Sequence, residues 1–245
     1  MKFRVTAVSY LNTKPFLFGI QHSDLINEIE LSLDIPSDGA RKLTDGTADI
    51  GLIPVAAIPQ IKNARVVTDY CIGANGEVKT VCIFSQVPIS EVKEIYLDYQ
   101  SRTSVELTKI LLRHHFKTEV KLLAATPGFE AEIKNQTAGL VIGDRAIAML
   151  NQFPFVYDLG MEWKKFTALP FVFAAWVTNQ NIPESFIHRL NSALRFGIQH
   201  IPKVADEYAS YYPDGFDVKN YFEKNISYEL DDRKREGMKK FLELI

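Results

Sequence analysis

Two short segments of the chain concentrate hydroxyl and amide side chains beside predicted strand ends. The residues from Ser101 to Ser104 read Ser-Arg-Thr-Ser and lead into a predicted helix at 103–115. A helix start presents unpaired backbone N–H groups and a partial positive charge, which together suit a carboxylate. The hydroxyls of Ser101, Thr103 and Ser104 add donors, but serine and threonine are also the usual helix caps. An anion site and an ordinary cap with a solvated Arg102 both agree with these residue types.

The second segment follows the first predicted strand, 3–10, and reads Leu-Asn-Thr-Lys-Pro from Leu11. Asn12 offers a donor and an acceptor, Thr13 a hydroxyl and Lys14 a cation. A polar turn without a function has the same composition, so residue types alone leave both interpretations open.

The familiar catalytic and cofactor motifs are absent from the sequence. There is no glycine-rich phosphate loop, no G-x-S-x-G elbow and no cysteine and histidine spacing typical of a metal site. The histidines fall on predicted helices or their ends. The acids nearest the strand-end turns are Asp98 and Asp144, and Asp144 is predicted to cap a helix through Leu150. We expect no cofactor and no metal, and the residues alone predict a pocket for a small anion.

Composition narrows the classes of partner. The chain has 245 residues, with 28 basic side chains against 30 acidic ones, so neither nucleic acid nor an anionic membrane surface is an expected partner. The longest apolar runs, 51–59 and 169–177, are far shorter than the ~20 residues of a spanning helix. Cys71 and Cys82 lie in strand-like runs and no export signal is evident, which predicts a cytoplasmic protein with reduced thiols. The expected partner is a small molecule, and the chain is expected to be a monomer or a homodimer.

Strands and helices alternate along most of the chain, which predicts an α/β fold. The predicted strands of a first, mostly parallel unit are 3–10, 30–35, 49–53, 65–72 and 78–85, and those of a middle unit are 94–98, 120–124, 138–142 and 155–158. A strand buried on both faces is predicted at 171–177, and everything after it is predicted to be helical.

The middle unit is complete by itself, so the helical tail must pack on the first unit. We therefore predict one lobe from 1–86 plus 170–245 and a second lobe from 87–169, with two crossings between them. This is the plan of a type 2 periplasmic-binding-protein-like fold, which holds a ligand cleft between its lobes. Open sheets bind ligands at the carboxyl ends of their strands, so the polar turns are expected to converge in that cleft.

The segment from Val8 to Pro15 resembles the opening strand and turn of the chorismate dehydratases, which begin the futalosine route to menaquinone. The resemblance continues in order at 49–55, at 71–73 with 78–81, at 101–105, at 142–144, at 158–163 and at 169–174. It covers residues 4 to about 200, and the C-terminal quarter carries little signature. The Ser-Tyr-Leu-Asn-Thr and Ser-Arg-Thr-Ser blocks are specific together and weak alone.

The resemblance implies a lyase that removes the ring hydroxyl and a ring proton from chorismate to give 3-enolpyruvyl benzoate. It implies that Asn12 faces the reacting ring and that Thr80, where many relatives are expected to have serine, keeps a catalytic hydroxyl. The implied substrate-binding residues are Thr13, Ser101, Thr103, Ser104, Gly143 and Asp144. The roles of Lys14 and Arg102 stay open.

Elimination needs an acceptor for the ring proton. No histidine or glutamate lies in the strand-end motifs singled out above, so we expect the enolpyruvyl carboxylate of the substrate to take the proton. Thr80 or Asp144 is the alternative base. Two other functions stay open: the related cyclisation of dehypoxanthine futalosine, and a cytoplasmic small-anion-binding protein without activity.

Overall fold

The computed structural model describes residues 2–245, and this part of the chain forms two β-sheets with helices on their faces. The strands are β1 Phe3–Val8, β2 Ile29–Asp34, β3 Ile50–Pro54, β4 Arg65–Ala74, β5 Val81–Ser85, β6 Glu94–Leu97, β7 Lys121–Ala124, β8 Thr137–Ile142, β9 Phe155–Asp158, β10 Phe171–Thr178 and β11 Ser227–Glu229. The α-helices are α1 Lys14–Gln21, α2 Pro36–Thr44, α3 Thr103–Ile110, α4 Asp144–Met149, α5 Leu159–Thr167, α6 Glu184–Gln199, α7 Ile201–Tyr208, α8 Val218–Asn220 and α9 Asp232–Leu244. Short 3₁₀ turns join several of them, and π-helical turns extend α3 through Phe116 and α8 through Asn225.

The first sheet has the order β11-β4-β10-β3-β1-β2, and the second has the order β7-β6-β8-β5-β9. Parallel pairs occur where a helix joins two strands, as between β1 and β2, because a parallel connection needs a crossover. Strand β10 runs antiparallel between β3 and β4, and every one of its residues is buried. The predicted fold class is confirmed: the protein is a two-lobe α/β structure.

The strand at 78–85 belongs to a different sheet from the one predicted. Strand β5 pairs with β8 and β9 of the second sheet, although the sequence placed it last in the first unit. All five of its residues are buried, and such an apolar run packs equally well in either sheet. The left-handed backbone at Lys79 (φ 63°) turns the chain just before it. The first crossing therefore lies between Ala74 and Val81, earlier than residue 86, and the division into lobes as folding units stays a prediction.

The prediction of an all-helical tail is wrong at one point. Strand β11 lies antiparallel to β4 at the edge of the first sheet, and the Leu230 N–H donates to the Asp69 carbonyl over 2.8 Å. Three residues are too few to show a strand period in the sequence.

The packing of α1 on α6 fixes the turn that precedes α1. A Cβ at Gly19 would lie 1.9 Å from the Ala193 carbonyl oxygen, and one at Gly197 would lie 1.8 Å from the Pro15 oxygen. Only glycine permits this close approach of two backbones. The start of α1, and with it the adjacent turn at Asn12, is held against α6.

Candidate active site

A cavity lies between the two sheets. Its polar lining comes from Tyr10, Asn12, Thr80, Ser101, Thr103 and Ser104, and its apolar lining includes Val8, Ile72, Ile142 and Phe173. The mixture of apolar surface with a few convergent polar groups is typical of a small-molecule site.

The strand-end turns meet at this cavity because of how the strands run. Asn12 follows β1, Ser101 follows β6 and Gly143 follows β8. Thr80 precedes β5, but β5 is antiparallel to β8, so its start lies at the same sheet edge as the end of β8. The structure thus brings together six of the predicted site residues: Asn12, Thr80, Ser101, Thr103, Ser104 and Gly143.

The start of α3 combines a cap with free hydroxyl donors. The Ser101 hydroxyl oxygen accepts a hydrogen bond from the Ser104 N–H over 3.0 Å, which is a capping contact. The Thr103 hydroxyl oxygen accepts from the Ala56 N–H of the first lobe over 3.2 Å, so its own hydrogen can point to the cavity. The capping interpretation is therefore confirmed for Ser101, and the anion site stays a prediction. Arg102 is exposed and its guanidinium contacts Gln60 at 3.5 Å, outside the cavity.

Asn12 and Thr80 are held by buried hydroxyl groups. Thr13 is fully buried, does not line the cavity, and donates to the Asn12 side-chain oxygen over 3.1 Å. The Tyr228 hydroxyl donates to the Asn12 carbonyl over 3.0 Å. The Tyr221 hydroxyl lies 2.9 Å from the Thr80 hydroxyl.

Tyr221 and Tyr228 are the contacts that the sequence did not reveal. Both come from the C-terminal quarter, and a single buried tyrosine has no spacing that separates it from an ordinary core residue. Burial raises the pKa of each phenol well above its usual value, so both stay protonated.

Gly143 and Asp144 connect the lobes. Gly143 has a positive φ of 68°, and a Cβ there would lie 2.8 Å from the Tyr10 ring. The prediction that Asp144 caps its helix is wrong, because Gly143 occupies the N-cap position and no side chain caps α4. The Asp144 carboxylate instead accepts hydrogen bonds from residues outside α4. Its two oxygens accept from the Leu11 N–H over 2.9 Å and the Tyr212 hydroxyl over 3.0 Å. Asp144 does not line the cavity, and its burial raises the pKa of the carboxyl.

Two other buried carboxylates organise the loops around the cavity. Asp98 accepts from the Ile142 N–H over 2.9 Å and from Arg145 over 2.6 Å. Asp158 accepts from the N–H groups of Val78 at 2.9 Å and Lys79 at 2.6 Å, and it also caps α5. Burial raises the pKa of Asp158 to about 6.

The cavity is lined without a charged side chain. Across residues 2–245 its lining contains no acid, base, histidine or cysteine. Lys14 lies elsewhere, with its ammonium 5.1 Å from the Tyr208 ring. Within the same described range no group of acids, histidines and cysteines could hold a metal ion. No helix among these residues has both the length and the apolar character to span a membrane. The arrangement can bind an anionic molecule by neutral donors and a helix start.

Fold and cavity together define a two-lobe α/β protein with a cavity between its sheets, and the solved structures agree on the fold. A crystal structure from Archaeoglobus fulgidus has a TM-score of 0.78 at 19% identity, covering 99% of this chain and 96% of that one. The alkanesulfonate-binding protein from Xanthomonas axonopodis pv. citri, solved with MOPS bound, has a TM-score of 0.66 at 12% identity, covering 98% and 90%.

Similarity in sequence also identifies the family of this chain. A model of the menaquinone biosynthesis family matches residues 3–245, so the chain belongs to that family. It is also similar to the chorismate dehydratase of Thermus thermophilus, at 27% identity over 86% of this chain and 84% of the relative.

Proposed function

We propose that this protein dehydrates chorismate to 3-enolpyruvyl benzoate at the start of the futalosine route. The observation that carries the proposal is the cavity between the lobes, which offers hydroxyl and amide donors and a helix start. Among residues 2–245, no charged side chain lines this cavity. Chorismate is a dicarboxylate whose dehydration creates an aromatic ring. Such a reaction needs a site that orients the ring and excludes water more than it needs a strong protein base. Membership of the menaquinone family and similarity to a chorismate dehydratase support the same reaction.

One carboxylate of the substrate binds at the start of α3. The hydroxyls of Thr103 and Ser104 line the cavity there, beside the N–H groups of the first helical turn. Hydrogen bonds to a charged acceptor are about twice as strong as neutral ones, so neutral donors suffice for a dianion.

The reacting ring lies against Asn12 and Thr80. The enolpyruvyl carboxylate removes the ring proton, and the electron pair of that C–H bond forms the new double bond. The bond between the ring and its hydroxyl oxygen then breaks with loss of hydroxide. The carboxylic acid returns the proton to the hydroxide, which leaves as water. Asp144 is a poor alternative base, because both of its oxygens already accept hydrogen bonds away from the cavity.

We further propose that the protein works in the cytoplasm as a monomer or a homodimer. Cys71 and Cys82 are buried free thiols, which suits a reducing compartment. Burial raises the pKa of Cys71 to about 12, so this thiol is unreactive.

Incubation of the purified protein with chorismate tests the function. The expected result is loss of chorismate and appearance of one aromatic product of the mass of 3-enolpyruvyl benzoate, with Asn12→Ala as the slowed control. Consumption of dehypoxanthine futalosine instead would identify the cyclising activity. Binding of chorismate without any product would identify an anion-binding protein.

A further inference from the structure

The hydroxyl of Tyr221 lies behind the wall of the cavity rather than in it. The residue is 1% exposed and begins the π-helical turn that follows α8. It is not part of the cavity lining, whereas Thr80, whose hydroxyl is 2.9 Å away, is. Any effect of Tyr221 on a bound molecule must therefore pass through another residue.

The count of donors and acceptors fixes which hydroxyl donates. A phenol has one hydrogen, and within residues 2–245 the Thr80 hydroxyl is the acceptor in reach of Tyr221. The Thr80 hydrogen has a second acceptor, the Val78 carbonyl at 3.4 Å. If Thr80 donated to Tyr221, the phenolic hydrogen would be buried without a partner, which proteins avoid. Tyr221 therefore donates to Thr80.

A separate hydrogen bond orients the Asn12 side chain. Its oxygen accepts from the Thr13 hydroxyl over 3.1 Å, so its NH₂ group points the other way. The two hydrogen bonds therefore run from Thr13 to Asn12 and from Tyr221 to Thr80.

We propose that Tyr221 is a positioning residue that sets the Thr80 hydroxyl as a hydrogen-bond donor into the cavity, an inference that rests on the proposed dehydration. The Thr80 oxygen is already occupied by Tyr221, and the 3.4 Å contact with Val78 is too long to hold its hydrogen against a better acceptor. The departing ring hydroxyl of the substrate is that acceptor. Thr80 then assists the loss of hydroxide and is not the base for the ring proton.

A double-mutant cycle tests the coupling. Tyr221→Phe is expected to lower the single-turnover rate of chorismate dehydration by ~10-fold with KM nearly unchanged, the effect of one hydrogen bond. In a Thr80→Val background the same change is expected to cost less than ~2-fold, since no hydroxyl is left to orient. Equal losses in both backgrounds, or no loss in either, would show that Tyr221 does not act through Thr80.

The matched control is Tyr70→Phe. Tyr70 is buried in β4, and its hydroxyl accepts from Arg195 over 3.2 Å, away from the cavity. This variant should keep the rate of the parent protein. Thermal melting of each variant shows whether it is folded.

A second measurement does not depend on turnover. In protein with ¹³C-labelled tyrosine, the Tyr221 Cζ resonance should move upfield in Thr80→Val, because a phenol that loses its acceptor becomes less phenolate-like, and should stay in place in Thr80→Ser. A downfield shift or no shift in Thr80→Val would reverse the assigned direction. Parent protein that forms no aromatic product would refute the dehydration alone, and the NMR result would still decide the hydrogen-bond direction.

Discussion

The two polar walls of the cavity hold their hydroxyl groups by different means. The helix wall, formed by Ser101, Thr103 and Ser104, is built locally: the Ser101 hydroxyl caps the turn three residues away. The tyrosine wall consists of Asn12 and Thr80 with Tyr221 directly behind Thr80, and its hydrogen bond between Thr80 and Tyr221 joins residues 141 positions apart in sequence. A local wall is visible as a motif, whereas a wall built by the fold is not.

The same difference separates binding from chemistry. The helix wall offers donors that any carboxylate can use, with backbone dipoles fixed by the helix. The tyrosine wall orients the buried hydroxyls of Thr80 and Tyr221 before the substrate arrives, so no reorganisation of these groups is needed during the reaction. We therefore expect changes in the helix wall to alter affinity and changes in the tyrosine wall to alter the rate.

The largest expected effect tests whether the tyrosine wall lacks a base. A chorismate analogue with a neutral amide in place of the enolpyruvyl carboxylate should bind but react ~10²–10⁴-fold more slowly, the usual cost of a missing positioned base. Thr80→Val and Asp144→Asn should each keep measurable single-turnover chemistry with chorismate. A variant that binds chorismate normally yet is inert, while the amide still reacts, would make that residue the base.

The next effect tests the turn that carries Thr80. Asp158 holds this turn, and burial raises its pKa to about 6 from 3.8. Between these values the folded protein keeps a proton that the unfolded chain has lost, so stability falls as pH rises. The stabilising contribution is complete below about pH 4 and lost above about pH 6. At 1.36 kcal/mol per pKa unit, the free energy of unfolding falls by roughly 3 kcal/mol across this range.

Urea unfolding of the parent protein and of Asp158→Asn, from pH 4 to pH 7, measures this contribution of Asp158 to the free energy of unfolding. The free energy of unfolding of the parent minus that of the variant should fall as pH rises, because only the parent loses the contribution of Asp158. The other acids titrate in both proteins and cancel in this difference. A difference that grows with pH would mean that the backbone donors to Asp158 outweigh its burial.

A smaller effect is expected in the helix wall. Ser104→Ala should weaken chorismate binding by roughly 10- to 150-fold, since a hydrogen bond to a charged group contributes ~1.5–3 kcal/mol. Thr103→Ala should do the same and also loses its contact with Ala56. Rates at saturating chorismate should change much less. Unchanged affinity in both variants would place the carboxylate elsewhere.

The smallest effect is expected just outside the helix wall. Arg102→Ala removes a cation that contacts Gln60 on the surface, so affinity for chorismate should stay within ~2-fold, as for most exposed substitutions. A large, salt-dependent loss of affinity in this variant would show that charge, and not the helix start, binds the carboxylate.

The sequence predicted local features of the cavity better than features that depend on tertiary contacts. Strand-end turns predicted the positions of Asn12 and Ser101, because the carboxyl ends of parallel strands lie at one edge. Thr80 reaches the cavity because β5 starts where the antiparallel β8 ends. The roles of these residues stay predictions. The sheet membership of β5 could not be predicted, since an apolar strand does not encode its partner.

Asp144 shows the same limit for a side chain. An acid at a helix start is an ordinary cap by sequence, and only the approach of Leu11 and Tyr212 from the other lobe turns it into a bridge. Tyr221 had no signal at all, because its partner is set by tertiary packing.

The position of β10 has a consequence for how the chain is made. Strands β3 and β4 follow one another in sequence, yet β10 separates them in the finished sheet. On the ribosome both strands must wait, with unpaired edges, until Thr178 has emerged and the whole second sheet has been synthesised. Exposed apolar edges of this kind invite aggregation, and pairing over such a sequence distance is slow. The nascent chain is therefore most in need of a chaperone between its two crossings, when the second lobe can already fold and the first cannot yet close.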